Sequence, residues 1–254
     1  MPNSVEKTMM ILRAISDGKG TPVTLERISS DTGINKSTLS HIVSTLAKSG
    51  YLQRVSHNEG YIIGPELHFL TRYGRYGEDI ISVCHPILEY MNRKTDALAV
   101  FAVLGNEKKY IIDRVSSQNI YSDNDATILN DDIYRTVTGR VLLANVVPDR
   151  ALEIYKRLGT PDKDTWQKAV TMEGFLSQLC IIRDTPCYYI KNISGGFVWH
   201  SFAVPIFDRK KCEGALGLAI KNDISNSTDV DINGYTALML KCKKEAERRL
   251  RFNG

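Results

Sequence analysis

The sequence predicts a mixed α/β chain of the α+β class. It opens with an N-terminal winged helix-turn-helix, continues through a helical linker, and ends in a larger domain of antiparallel sheet flanked by helices. Three observations predict it. Residues 24–49 carry two helical apolar periods separated by a tight turn, residues 51–63 read strand, turn, strand directly behind them, and from Ala97 the period changes from helical to alternating. The resulting boundaries are 1–65 for the first domain, 66–79 for the linker and 80–254 for the second domain.

The first helix is expected over residues 4–17, capped by Ser4, with Val5, Met9, Leu12 and Ile15 as its inner stripe. Thr24 caps the second helix, whose inner face is Leu25 and Ile28 and which stops at Gly33, where the turn needs a positive φ. Asn35 caps the third helix, and Leu39, Ile42, Val43 and Leu46 fall at i, i+3, i+4 and i+7. Tyr51–Val55 and Tyr61–Ile63 then form a hairpin around the 56–60 turn, the place of a β wing.

The outer face of the third helix points to function. Lys36, Ser37, Thr38, Ser40, His41 and Ser44 are small and polar or basic, and no acid lies between Asp31 and Glu59. A helix entering the major groove needs short hydrogen-bonding groups, a cation for phosphate and no carboxylate to be repelled. An ordinary solvated helix is the alternative, but such helices usually carry Glu and Lys in i,i+4 pairs. The expected DNA contacts are those six residues and Thr24, with Arg54 or the wing turn on the phosphate backbone. A double-stranded operator is the expected partner.

Charge agrees with that placement. Of a net charge of +4, residues 1–75 hold nine Lys or Arg against six acids. The five cysteines are odd in number, widely spaced and without a Cys-x-x-Cys pair, so neither a disulfide scaffold nor a zinc site is expected. No metal and no cofactor is expected. There is no signal peptide and no run of membrane-spanning length, which predicts a cytoplasmic protein with no membrane partner.

In the linker, Leu67, Leu70 and Tyr73 mark an apolar side before Gly74 and Gly77 interrupt the helix. That side packs either on its own domain or against a second protomer. A further helix runs through Ile80, Ile81, Val83, Ile87, Leu88 and Met91. A hairpin follows over residues 98–115, then helical patterns at 139–147, 149–158, 164–168 and 171–183. Strands return at 187–191, 197–207 and 212–220, and the last helix spans residues 232–252.

Several segments resemble the IclR family of bacterial transcription regulators. They are Ser4-Val5, Asn35-Lys36-Ser37-Thr38-Leu39, Leu46 to Gly50-Tyr51-Leu52, and Tyr61-Ile62-Ile63-Gly64-Pro65. Arg135 to Ala144 and Ser201-Phe202-Ala203-Val204-Pro205-Ile206-Phe207-Asp208 extend the resemblance more loosely into the second half. The resemblance implies a DNA-binding regulator, a repressor sooner than an activator, acting as a homodimer or homotetramer on a pseudo-palindromic site. It also implies a GAF-like second domain that binds a small effector, an organic acid or an aromatic metabolite.

On that basis the ligand-binding residues are Val137, Thr138, Gly139, Lys191, Trp199, Ser201, Gly217 and Ala219. Trp199 and Ser201 share a sheet face, as do Gly217 and Ala219, whose small size leaves room beside an indole. Trp199 filling that space itself is the rival. The chain departs from the family in Ser201 at the cysteine position, in Gly217 and Ala219 where serines are common, and in His41 where Arg is common. A ligand-independent regulator or protein-interaction module therefore stays open. No catalytic residue is expected: His200 and Ser201 are adjacent on a strand and point to opposite faces, and Cys84-His85 on a helix do not face each other.

Overall fold

The computed structural model describes residues 3–56, 59–72, 78–105, 107–117, 133–223 and 230–252. The chain packs as two compact units, Met1–Glu78 and Asp79–Gly254. The wing residues 57–58, and Tyr73, Gly74 and Gly77 of the linker, lie outside the described residues.

The first unit contains α1 (Ser4–Ser16), α2 (Leu25–Thr32), α3 (Lys36–Lys48), β1 (Leu52–Ser56), β2 (Gly60–Ile63) and α4 (Pro65–Arg72). Its core gathers Ile11, Ile15, Ile28, Leu39, Val43 and Leu52. Gly33 ends α2 at φ 68°, the left-handed conformation that the α2–α3 turn requires. β1 and β2 pair antiparallel, and Val23 makes a single antiparallel bridge to Tyr61 beside them. A Cβ on Gly60 would lie 2.3 Å from the Val23 carbonyl oxygen, so this approach needs glycine.

Two expectations for α1 are corrected. Its cap is Asn3, whose Oδ1 accepts from the Glu6 N–H at 2.9 Å while the Asn3 N–H donates to Glu6 Oε2 at 2.7 Å. Its buried residues are Ile11 and Ile15, whereas Val5 is 66% and Met9 59% exposed. Apolar residues at both 11 and 12 allow two neighbouring stripes to be drawn. The core takes the one through Ile11.

The second unit contains α5 (Glu78–Thr95), β3 (Leu98–Gly105), β4 (Lys108–Val115), α6 (Val137–Ala144), α7 (Pro148–Leu158) and α8 (Lys163–Trp166). It continues with α9 (Met172–Asp184), β5 (Tyr188–Ser194), β6 (Phe197–Asp208), β7 (Lys211–Asp223) and α10 (Ile232–Phe252). The strands form one antiparallel sheet in the order β4-β3-β7-β6-β5. Pairing of β3 with β7 joins the early hairpin to the last strand.

α6 lies across β6, β7 and β3, with α9 packed on it. On the opposite face α10 packs on β6, where Tyr235 meets Phe202 at 5.6 Å between ring centroids. α5 reaches the sheet through His85, whose Nδ1 is 2.9 Å from Asp113 Oδ2 on β4. The mixed fold expected from the sequence, helical recognition unit first and helix-flanked antiparallel sheet second, is the one observed.

Candidate DNA-binding face and effector cavity

α3 presents Ser37, Ser40, His41 and Ser44 to solvent, and Thr38 is half-buried. Asn35 Oδ1 accepts from the Thr38 N–H at 2.9 Å, which starts the helix where the sequence placed it. Thr45 and Lys48 are exposed on α3 as well, and the sequence reading had passed over both. Arg54 is exposed on β1, with its guanidinium carbon 5.8 Å from the Tyr61 ring centroid.

Two residues of the expected DNA-contacting set also make contacts within their own unit, and Thr24 does so as the helix cap the sequence predicts. The Thr24 hydroxyl accepts from the Arg27 N–H at 3.3 Å, so it caps α2. Lys36 Nζ lies 3.2 Å from Glu26 Oε1, because the Gly33 turn brings the first turns of α2 and α3 together. The Glu26 carboxyl is held below its ordinary value, first by its own backbone N–H and then by Lys36. Sequence spacing of ten residues gave no signal for this pair.

In the second unit a cavity of about 50 Å³ opens between α6 and the sheet. Of the eight expected ligand residues, Val137, Thr138, Trp199, Ser201, Gly217 and Ala219 line it. The register explains their convergence: Ser201 pairs with Ala219 and Ala203 with Gly217, so these positions share one face. Leu98 and Val100, paired with Ala219 and Gly217, continue that face on β3.

Gly139 and Lys191 are not among the lining residues. A Cβ on Gly139 would lie 2.3 Å from the Ile133 carbonyl oxygen, so this glycine lets the preceding loop cross the first turn of α6. Lys191 pairs with His200 and shares its sheet face, opposite the cavity, and Asn192 lines the cavity in its place. Gly217 also does less than expected for ligand space. The Thr138 methyl and the Val100 side chain already press on the position its Cβ would take.

Polar groups gather at one end. Thr136 caps α6, its Oγ1 accepting from the Gly139 N–H at 3.1 Å. The N–H groups of Val137 and Thr138 make no hydrogen bond among the described residues. Lys109, 3% exposed on β4, and Arg135 on the loop ahead of α6 also line the cavity, and sequence reading missed both. Buried Arg140 fixes that loop: its Nε donates to the Tyr134 carbonyl at 2.7 Å, its Nη2 donates to the Thr165 carbonyl, and its guanidinium lies 4.5 Å from the Trp166 ring centroid. A helix N-terminus with a threonine hydroxyl and two cations favours an anion.

Chemistry elsewhere is sparse. His200 faces away from Ser201, with its Nδ1 2.8 Å from the Tyr189 hydroxyl. Burial pushes the Cys84 thiol up to about 12, and the thiols of Cys187, Cys212 and Cys242 up to about 11. Among the described residues no group of three or more His, Cys, Asp or Glu is placed to hold a metal ion, and no helix is long and apolar enough to cross a membrane.

Comparison with known proteins then settles the family. A family model, IclR helix-turn-helix domain, matches residues 4–56, and a second, bacterial transcriptional regulator IclR C-terminal, matches residues 76–246. The chain belongs to the IclR family. Among curated members it is 20% identical over 249 residues to the transcriptional repressor IclR of Escherichia coli, covering 95% of this chain and 88% of that protein. It is 27% identical to the regulator TtgV of Pseudomonas putida over 131 residues, a match that spans 52% of this chain and only 49% of TtgV.

Solved structures share the fold. An IclR homologue of Microbacterium hydrocarbonoxydans, crystallised with 4-hydroxybenzoate, superposes with a TM-score of 0.73 at 18% identity, covering 98% of this chain and 100% of that one. The IclR of Thermotoga maritima gives 0.66 at 21% identity, covering 98% and 99%. This IclR-family chain is thus a transcriptional regulator with a DNA-binding helix-turn-helix and an effector-binding C-terminal domain.

Proposed function

We propose that this IclR-family regulator acts as a repressor. It binds a pseudo-palindromic operator as a homodimer or homotetramer, through α3 in the major groove and Arg54 on the backbone, and responds to a small carboxylic acid. The observation that carries the DNA-binding part is the solvent face of α3, where Ser37, Ser40, His41 and Ser44 stand exposed with no bulky or acidic side chain of the helix itself between them. A single winged helix reads few base pairs, so specific binding calls for two copies. The exposed Phe69 and Leu70 of α4, on the linker helix, supply an apolar surface for a second copy.

For the effector, the anionic end belongs at Thr136, Val137 and Thr138 with Lys109 and Arg135, and the apolar body against Trp199, Val100 and Leu98. One water needs about 10–15 Å³. A cavity of about 50 Å³ therefore suits a short acid better than a ring-bearing one. The same small volume, with Trp199 only 3% exposed, favours a second reading in which the indole fills the space and the regulator works without a ligand.

Band shifts of the purified protein on its own upstream intergenic DNA and on a scrambled duplex test the first claim. A band confined to the upstream fragment is the expected result, and equal retardation of both removes it. Adding short 2-oxo and hydroxy acids, with 4-hydroxybenzoate alongside, separates the two effector readings. A shift in operator affinity with a short acid supports the ligand, and no shift with any acid supports the filled cavity.

A further inference from the structure

We propose that Glu26 is a specificity-determining residue of the DNA-binding face, acting on Lys36. Its carboxylate positions the ammonium group at the head of α3 and opposes sequence-independent attraction to phosphate. This rests on the DNA-binding reading of α3 given above.

The geometry comes from the fold. Within α3 no residue is acidic, yet the turn at Gly33 sets Glu26, in the first turn of α2, against Lys36, the first residue of α3, at 3.2 Å. Asp31, the other acid of α2, pairs instead with Arg27 on its own helix at 3.6 Å. The Glu26 and Lys36 side chains are about 70% exposed, so the pair opens at little cost and contributes little to folding. Its consequence falls on binding.

On arbitrary duplex, affinity comes almost wholly from cations meeting phosphates. To meet a phosphate there, Lys36 must give up its Glu26 partner, and that exchange subtracts from the binding energy the phosphate supplies. On the operator, Ser40 and His41 fix the register of α3 through base edges. The Glu26 contact biases Lys36 towards one direction, so the side chain gives up somewhat less freedom when that register is reached. The same carboxylate therefore weakens the wrong complex more than the right one, which is discrimination through an unfavourable contact.

Fluorescence anisotropy of full-length protein on an upstream duplex and on a scrambled duplex of equal length, over a salt series, tests the proposal. Glu26→Gln should tighten binding to the scrambled duplex by about three- to fivefold, the scale of an exposed ion pair. Its salt dependence there should steepen by about one charge. The operator-to-scrambled ratio should fall by a similar factor, and in a Lys36→Ala background the effect of Glu26→Gln should vanish. A ratio that stays constant or rises overturns the proposal, as does an effect undiminished by Lys36→Ala. Wild-type protein with no preference for the upstream duplex overturns the DNA-binding reading and the proposal together, whereas retained preference with an unchanged ratio overturns the proposal alone.

Discussion

The methyl group of Thr138 occupies the space that a side chain at Gly217 would need: a Cβ there would lie 2.6 Å from Thr138 Cγ2 and 2.9 Å from Val100 Cγ2. The first turn of α6 is thereby seated on β7, and the polar end of the cavity is set by that contact. Gly217→Ala should push the helix away and cost about 1–3 kcal/mol by overpacking. Thermal unfolding measures the cost. Any effector response should weaken with it while DNA binding by the ligand-free protein persists.

Trp199 is the second test of the cavity. Its indole is 3% exposed, so Trp199→Ala should cost about 3–5 kcal/mol whether or not a ligand binds. Trp199→Phe keeps much of the packing and separates the cases. A bound short acid should still raise the melting temperature of the phenylalanine variant, though less than that of wild type. If no acid raises either, the indole is packing alone.

What the sequence made legible was local. Periods at i, i+3, i+4 and i+7 located Leu39, Val43 and Leu46, and the turn glycine Gly33 was readable because a helix commonly ends on a left-handed residue, which glycine adopts freely. The Asn3 cap is legible too, since Glu6 three residues on completes the capping box, but Ser4 beside it is a capping residue type as well. Lys191 failed for a different reason. Tyr188 to Ile193 shows no clean alternation, and a one-residue change of register exchanges Lys191 for Asn192 on the cavity face. Lys109 and the Glu26–Lys36 pair depend on contacts between elements, which period and spacing do not encode.

Stability should fall in acid through His200. Burial first, and then the Lys191 charge, depress its pKa below the ordinary 6.5. The unfolded chain therefore takes up this proton before the folded one as pH falls. Stability from this group is present above pH 6.5, declines as pH drops from there through the folded value, and levels off below it. Denaturant midpoints between pH 7.5 and 5 should show that decline in wild type and a flatter profile in His200→Gln. Parallel profiles would remove His200 as the cause.

Oligomerisation is open to sedimentation. Leu70 is 58% exposed on α4, and replacing it with Glu should weaken self-association without unfolding the helix-turn-helix, whose core it does not enter. Wild type should sediment as a dimer or larger at micromolar concentration. A monomer both on and off DNA would contradict the paired-site reading.

The most direct measurement is anisotropy of wild type, Ser40→Ala and His41→Ala on the upstream duplex and on duplexes altered one base pair at a time. Loss of a base-edge hydrogen bond should weaken each variant by about 1–3 kcal/mol and relax its preference at particular base pairs. Binding to scrambled DNA should change little. Variants that bind every duplex as wild type does would show that α3 is not the helix that reads the sequence.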